Sequence, residues 1–329
     1  MSVKIAFFDA KDYDKASFSS VQNDFDFEFL FFETRLNEET ARLSTGCDAV
    51  CVFVNDEVNK KVIDTLVGLG VKLIALRCSG YNNVDYEYAR DKISIIRVPS
   101  YSQYSVAEHA MALLLTLVRK IHKAYIRTRD FNFSLKNLTG FDLHNKTIGV
   151  VGTGKIGRAF INICKGFGMH VIAYDPYPDS YADFDYVSLD VLFKDADIVS
   201  LFCPLTDESA HMINVNTVSL MKKGVIIVNT SRGALIDSKA LLDGLKSGRI
   251  KGACLDVYEE EADFFFMDYS YRIMPDDTLS RLISLPNVIV TSHQAYLTDD
   301  ALMEISQETL RNIGDYFEKG YCESDAVVC

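Results

Sequence analysis

Lys146-Thr-Ile-Gly-Val-Val-Gly152-Thr-Gly154-Lys155-Ile156-Gly157-Arg-Ala-Phe160 is a short apolar strand that runs into Gly-x-Gly-x-x-Gly and then a helical pattern. A lone glycine hexamer is a weak signal, but the flanks add three checks. A β-rich run precedes it. An amphipathic stretch from Ile156 to Phe167 follows. A second apolar run, His170–Tyr174, then ends at Asp175, eighteen residues past Gly157. That order is the dinucleotide fingerprint of a βαβ unit. Gly152 permits the tight turn, Gly154 lets the backbone approach a pyrophosphate, and Gly157 lets the helix pack close to the strand. The free N–H groups and positive dipole end of the helix N-terminus suit phosphate. Asp175 is placed to accept from the adenosine ribose hydroxyls, and its charge repels a 2′-phosphate. NAD is therefore expected over NADP. The competing reading is a glycine turn that serves backbone geometry alone.

Outward from this motif, the chain has 329 residues, which at roughly 150 per domain predicts two domains. Apolar residues make up 48% and charged residues 24%, which argues against a disordered or fibrous chain. With 34 Lys and Arg against 46 Asp and Glu, the net charge is −12. Such a protein lacks the broad positive field that nucleic acid or an anionic membrane requires. The eight cysteines include no Cys-x-x-Cys pair and mostly lie in apolar runs. Reduced, buried thiols in a cytosolic protein are the expectation, with neither a metal site nor a disulfide framework. Lys4 and Asp9 interrupt what a signal peptide would need as its apolar core, so none is expected. Ala110–Val118 is far too short to span a bilayer.

Short apolar runs alternate with amphipathic stretches, the mark of a parallel α/β sheet. The early strands are read at Val3–Phe8, Ala49–Val54, Leu73–Leu76 and Ile93–Val98. Tyr104 to Tyr125 reads as one long helix that bridges the two domains, apolar at 106, 110, 113, 114, 117, 118 and 121. A second series follows at Thr147–Val151, His170–Tyr174, Ile198–Phe202, Val225–Asn229, Gly252–Asp256 and Val288–Thr291. Glu259 to Thr278 breaks the rhythm and is long for a loop, as functional segments often are.

Three strand ends carry chemistry. Val225–Asn229 leads into Thr230-Ser231-Arg232-Gly233, which thrusts a guanidinium from the edge where open α/β sheets bind ligands. Its fork suits a carboxylate or a polarised carbonyl, and a surface ion pair is the equal alternative. Gly252–Asp256 leads into Val-Tyr-Glu259-Glu260-Glu261, where Glu259 and Glu260 read as a solvated acidic loop. Val288–Thr291 ends in Ser292-His293. Of six histidines, His109 and His122 lie on the long helix and His144, His170 and His211 in ordinary surroundings. His293 alone lies where three strand ends converge. An imidazole there is the natural proton donor when a carbonyl accepts a hydride, and Glu261 can hold its other ring nitrogen.

Gly152-x-Gly154-x-x-Gly157 with Asp175, then Asn229-Thr-Ser-Arg232-Gly, Asp256-Val-Tyr-Glu-x-Glu261 and Ser292-His293 resemble the D-isomer-specific 2-hydroxyacid dehydrogenases in order and spacing. The resemblance covers nearly the whole chain. The D-lactate dehydrogenase branch fits best, through Tyr81-Asn-Asn-Val-Asp85, Arg97-Val-Pro99-x-Tyr101, Arg127-Thr-Arg-Asp-x-Asn-Phe-Ser134, Phe264-Phe-Phe266 and Gln294-Ala-Tyr296. The resemblance implies an α/β protein with two Rossmann-like doubly wound parallel-sheet domains and the active site in the cleft between them. It assigns 1–100 plus 297–329 to substrate and 101–296 to NAD. Its catalytic set maps to Arg232, Glu261 and His293. Cofactor contacts map to the glycine motif with Lys155 and Ile156, and to Asp175, Cys203, Pro204, Thr230, Ser231, Arg232 and Asp256. Substrate contacts map to Ser79, Gly80, Tyr101, Arg232, His293 and Tyr296. The bulk of Phe53, Tyr101 and Tyr296 leans toward pyruvate and D-lactate, the alternative being a larger 2-oxo acid. A non-catalytic NAD-sensing corepressor shares the fold. No metal is implied, and a homodimer or larger homo-oligomer is.

Overall fold

In a computed structural model, residues 2–22, 25–320, 322 and 325–329 are described. The chain divides into two compact units, Met1–Ser102 with Leu297–Cys329, and Gln103–Tyr296.

The first unit holds a five-stranded sheet of β1 (Val3–Phe7), β2 (Phe27–Phe31), β3 (Ala49–Val52), β4 (Leu73–Leu76) and β5 (Ser94–Arg97). All pairings are parallel, in the order β2-β1-β3-β4-β5. That is one of the two common doubly wound orders. Every residue of β3 and β4 is buried, as expected for strands covered on both faces. β2 is absent from the strands read above, although Phe27, Phe29 and Phe31 alternate with period two. The C-terminal tail belongs here because it has two attachments. Leu310 and Ile313 of the helix Asp299–Lys319 join the core of Ile5, Phe7 and Phe18. The last residues then cover the edge strand, through Arg97 N–H to Ala326 O and Val328 N–H to Ile95 O, both at 2.9 Å.

Beside the carboxyl ends of β1, β3 and β4 lies a buried polar cluster. The Arg77 guanidinium sits between the rings of Phe7 and Phe53, 4.5 and 4.8 Å from their centres. Its Nε donates to Asp14 and its Nη2 to the Asp9 carbonyl. Asp56 accepts from the N–H groups of Phe53 and Leu36. Burial pushes its carboxyl up to about 6, against the pull of Arg77 and those donors. Phe53 is thus a wall of this cluster.

The second unit holds seven strands: β6 (Thr147–Val151), β7 (His170–Tyr174), β8 (Asp185–Tyr186), β9 (Ile198–Leu201), β10 (Val225–Asn229), β11 (Ile250–Leu255) and β12 (Val288–Val290). Their order is β12-β11-β10-β9-β6-β7-β8, all parallel. Counted from β6 this is the Rossmann order, and strand order reverses between β6 and β9. The carboxyl ends of β6, β7, β9, β10, β11 and β12 carry Gly152, Asp175, Cys203, Thr230–Arg232, Asp256 and His293 in turn.

The long helix differs from its sequence reading in two ways. It is two helices, Gln103–Arg119 and Ile121–Arg129, broken at Lys120, whose φ of 55° is left-handed. The break has a cause. Gly140 packs against the Val118 carbonyl, where a Cβ would collide, and Lys120 Nζ donates to the Asn137 carbonyl at 3.0 Å. The returning chain thus packs against the end of the first helix. Both helices lie wholly within the second unit. Ile121 is exposed and is not part of the apolar face.

Candidate active site

Two of the three glycines of the motif stand where no other residue type fits. Gly152 has φ of 93°, and a Cβ there would lie 2.6 Å from Cys203 N. A Cβ on Gly157 would collide with the Gly152 carbonyl. At Gly154, by contrast, a Cβ would meet nothing within 4 Å. The backbone there faces open space, and no side chain caps the helix Lys155–Gly166 that follows. An open glycine turn at an uncapped helix start suits a pyrophosphate. Lys155 and Ile156 are the first residues of that helix.

Asp175 ends β7. Its Oδ2 accepts from Thr153 N–H at 2.7 Å and Thr153 Oγ1 at 3.0 Å, and its Oδ1 from Tyr177 N–H at 2.9 Å. The carboxylate is thus fixed beside the glycine turn. Cys203 is buried, and burial pushes its thiol up to about 11, so it packs and does not react. Its carbonyl accepts from Ser231 Oγ at 2.6 Å, which ties the end of β9 to the loop after β10. Pro204 is exposed, and Thr230 is buried with an unpartnered hydroxyl.

Arg232 has extended backbone, and its Nη1 donates to the Ser231 carbonyl at 2.7 Å. Its other guanidinium donors have no partner among the described residues. The surface ion pair left open above therefore does not form there. Gly233 explains the approach of the next loop. A Cβ there would collide with the Tyr258 carbonyl and Glu259 N. Only glycine lets Tyr258–Glu259 pass directly over the strand that delivers Arg232.

That loop carries Glu261, whose Oε1 lies 2.6 Å from His293 Nδ1. Glu261 Oε2 accepts from Tyr258 N–H at 2.9 Å, which aims the carboxylate. The His293 and Glu261 side chains are 15% and 16% exposed, so water screens the pair weakly. His293 Nε2 has no partner among the described residues. Of the aromatic triplet, Phe264 and Phe265 join the core, and Phe266 lies against the imidazole at 6.1 Å between ring centres. Tyr296 is buried just beyond.

Asp256 is fully buried. Its Oδ1 accepts from Thr291 Oγ1 at 2.6 Å and Gln294 N–H at 2.9 Å, and its Oδ2 from Ala295 N–H at 2.8 Å. Burial pushes this carboxyl up, but the donors, His109 foremost, outweigh it and hold it below its ordinary value. Two residues were misjudged from sequence. Glu259 is not merely a solvated loop residue. It pairs with His211 and accepts from Ser238 Oγ at 3.0 Å. His109 is not a lone helix residue, its Nε2 lying 3.3 Å from Asp256 Oδ1. Its place on an amphipathic helix gave no signal, because its partners lie far off in the chain. Glu260 is exposed, as read.

In the first unit, the loop after β4 carries Ser79 and Gly80. Arg97 donates to the Ser79 carbonyl at 3.0 Å, and Cys78 Sγ lies 3.2 Å from the Gly80 carbonyl. The N–H groups of Ser79 and Gly80 have no partner among the described residues. Tyr101 follows β5 and is half-buried. Among the described residues no His, Cys, Asp or Glu cluster could hold a metal ion. Nor is any helix among them long and apolar enough to cross a membrane.

A family model described as D-isomer specific 2-hydroxyacid dehydrogenase, NAD binding domain, matches residues 111–295. The chain belongs to this family. It is an NAD-dependent oxidoreductase, and the glycine turn and Asp175 lie within the matched NAD-binding domain. Across 99% of the chain and 100% of the relative, it is 48% identical to a protein named D-lactate dehydrogenase from Escherichia coli K12. The apo-structure of D-lactate dehydrogenase from E. coli superposes with a TM-score of 0.90 at 47% identity, covering 99% of this chain and 100% of that one. A D-isomer specific 2-hydroxyacid dehydrogenase from Lactobacillus delbrueckii, solved in an NAD-complexed form, superposes at 0.82 with 29% identity, covering 99% and 100%.

Two glycines separate packing from cofactor binding. Gly154→Ala leaves thermal stability unchanged and raises KM for NADH at least about tenfold, a loss of about 1.4 kcal/mol. Gly233→Ala overpacks the loop, destabilises by about 1–3 kcal/mol, and lowers kcat/KM about a hundredfold by shifting the neighbouring Arg232. Melting curves and steady-state kinetics on both variants check this.

Proposed function

We propose that the chain interconverts pyruvate and D-lactate. The observation that carries this is the His293–Glu261 pair at 2.6 Å on the sheet edge that also delivers Arg232, in a chain 48% identical to a protein named D-lactate dehydrogenase. Arg232 uses its unpartnered donors on the substrate carboxylate and carbonyl oxygen, and so orients and polarises the carbonyl. His293 gives its Nε2 proton to the carbonyl oxygen as it becomes an alkoxide, and Glu261 holds the ring in orientation through Nδ1. The nicotinamide supplies the hydride in this direction and accepts it in the other. Lactate oxidation returns the proton to a neutral His293. The N–H groups of Ser79 and Gly80 and the Tyr101 hydroxyl are assigned to the substrate carboxylate. Lys155, Ile156, Cys203, Pro204, Thr230, Ser231 and Asp256 are assigned to the cofactor, with Tyr296 beside the substrate. Reduction of pyruvate regenerates NAD, as fermentation requires. The eight unpaired cysteines fit a cytoplasmic setting.

We further propose a homodimer built on the second unit. The helix Ile121–Arg129 has no buried residue. Ile121, Tyr125, Ile126, Phe131, Phe133 and Leu135 are all exposed there, a grouping of apolar side chains of the kind that marks protein contacts. Light scattering is expected to give twice the 37.0 kDa chain mass, and Phe131→Glu with Leu135→Glu to give the monomer. A parent that scatters as a monomer contradicts the dimer.

Substrate and stereochemistry are tested by steady-state rates with NADH on pyruvate, 2-oxoisocaproate and phenylpyruvate, and with NAD on each lactate enantiomer. Pyruvate and D-lactate are expected to give the highest kcat/KM. Faster NADH formation from L-lactate, or a clear preference for a larger oxo acid, overturns the assignment.

A further inference from the structure

We propose that His109 is a positioning residue for this reaction, one that donates from Nε2 to the Asp256–Thr291 pair and so fixes the loop that carries His293. The proposal rests on the role given to His293 above.

His109 comes from the helix Gln103–Arg119, and its side chain is 19% exposed. Its Nε2 lies 3.2 Å from Thr291 Oγ1 and 3.3 Å from Asp256 Oδ1. The hydrogen-bond network assigns the tautomer. Thr291 Oγ1 has one proton, and at 2.6 Å it goes to Asp256 Oδ1. An ionised carboxylate only accepts. His109 Nε2 therefore faces two acceptors and must carry a hydrogen.

What that donor secures is the segment from Thr291 to Ala295. Thr291 N–H donates to the Leu255 carbonyl at 2.9 Å, and His293 N–H to the Asp256 carbonyl at 2.7 Å. Gln294 and Ala295 N–H groups end on the two oxygens of the Asp256 carboxylate. Between these attachments His293 stands at φ of 52°, a left-handed conformation that a residue with a side chain avoids. Such backbone persists only where its surroundings over-determine it. Asp256 is the hub of those surroundings and is completely buried, so each donor on its carboxylate matters. His109 is the donor that comes from outside the β11 and β12 loops. It ties that hub to the helix, and through the hub it sets where His293 Nδ1 meets Glu261. His109 itself touches no reacting atom.

The test uses the full chain with His109→Leu, which removes the donor, and His109→Gln, which keeps one. His109→Asn, too short to reach, is a second loss variant should the leucine fail to fold. Two readouts are taken. One is kcat for pyruvate reduction beside KM for NADH. The other is the low-field proton resonance of the His293 Nδ1–H bridge to Glu261, assigned by its loss in His293→Gln. The loss variants are expected to lower kcat at least tenfold, by more than they raise KM for NADH, and to move or broaden the resonance. His109→Gln is expected to restore both readouts. A folded loss variant with parental kcat and an unmoved resonance overturns the proposal, as does a glutamine variant as impaired as the leucine. A parent that does not turn over pyruvate fails the functional reading instead, and the resonance still reports on His109.

Discussion

The contact between His293 Nδ1 and Glu261 Oε1, 2.6 Å in a largely buried setting, is what the chemistry proposed for the second unit depends on. It commits one ring nitrogen to a carboxylate and leaves the other free. A free Nε2 on an imidazole held by a carboxylate is a proton donor with a fixed direction. Neither residue reaches this position alone. Glu261 is aimed by the Tyr258 N–H on its second oxygen. His293 is held in left-handed backbone by the loop that hangs on Asp256.

Two packing constraints bring those loops to Arg232. The first is the parallel order of the sheet, which puts the ends of β10, β11 and β12 side by side. The second is Gly233, the one residue type that lets Tyr258–Glu259 cross without collision. The same logic repeats at the cofactor end, where Gly152 and Gly157 permit close backbone contact and Gly154 faces open space. The two parts of the sheet edge thus share one design. A parallel strand ends, a small residue lets the next loop close over it, and a carboxylate, Asp175 or Asp256, collects the N–H groups left over.

Much of this was legible in the sequence because it is written in local pattern. The glycine motif, its strand and helix, and Asp175 lie within thirty residues, and each has a physical role at that spacing. Arg232, Glu261 and His293 could be found because each follows an apolar run and parallel strands end on one edge. What was missed depends on distant contacts. His109 looked structural because Asp256 and Thr291 lie more than a hundred residues away. Glu259 looked solvated because nothing local announces His211 and Ser238. The single long helix failed for the same reason, since Gly140, which ends it, lies beyond the helix itself. β2 was the avoidable omission, its period-two phenylalanines being local.

The most direct test of the His293–Glu261 pairing is a double-mutant cycle of kcat/KM for pyruvate reduction over the parent, Glu261→Gln, His293→Gln and the double variant. If the carboxylate acts through the imidazole, Glu261→Gln is predicted to cost about a hundredfold in the parent and almost nothing once His293 has been replaced. Losses that simply multiply in the double variant would contradict the pairing.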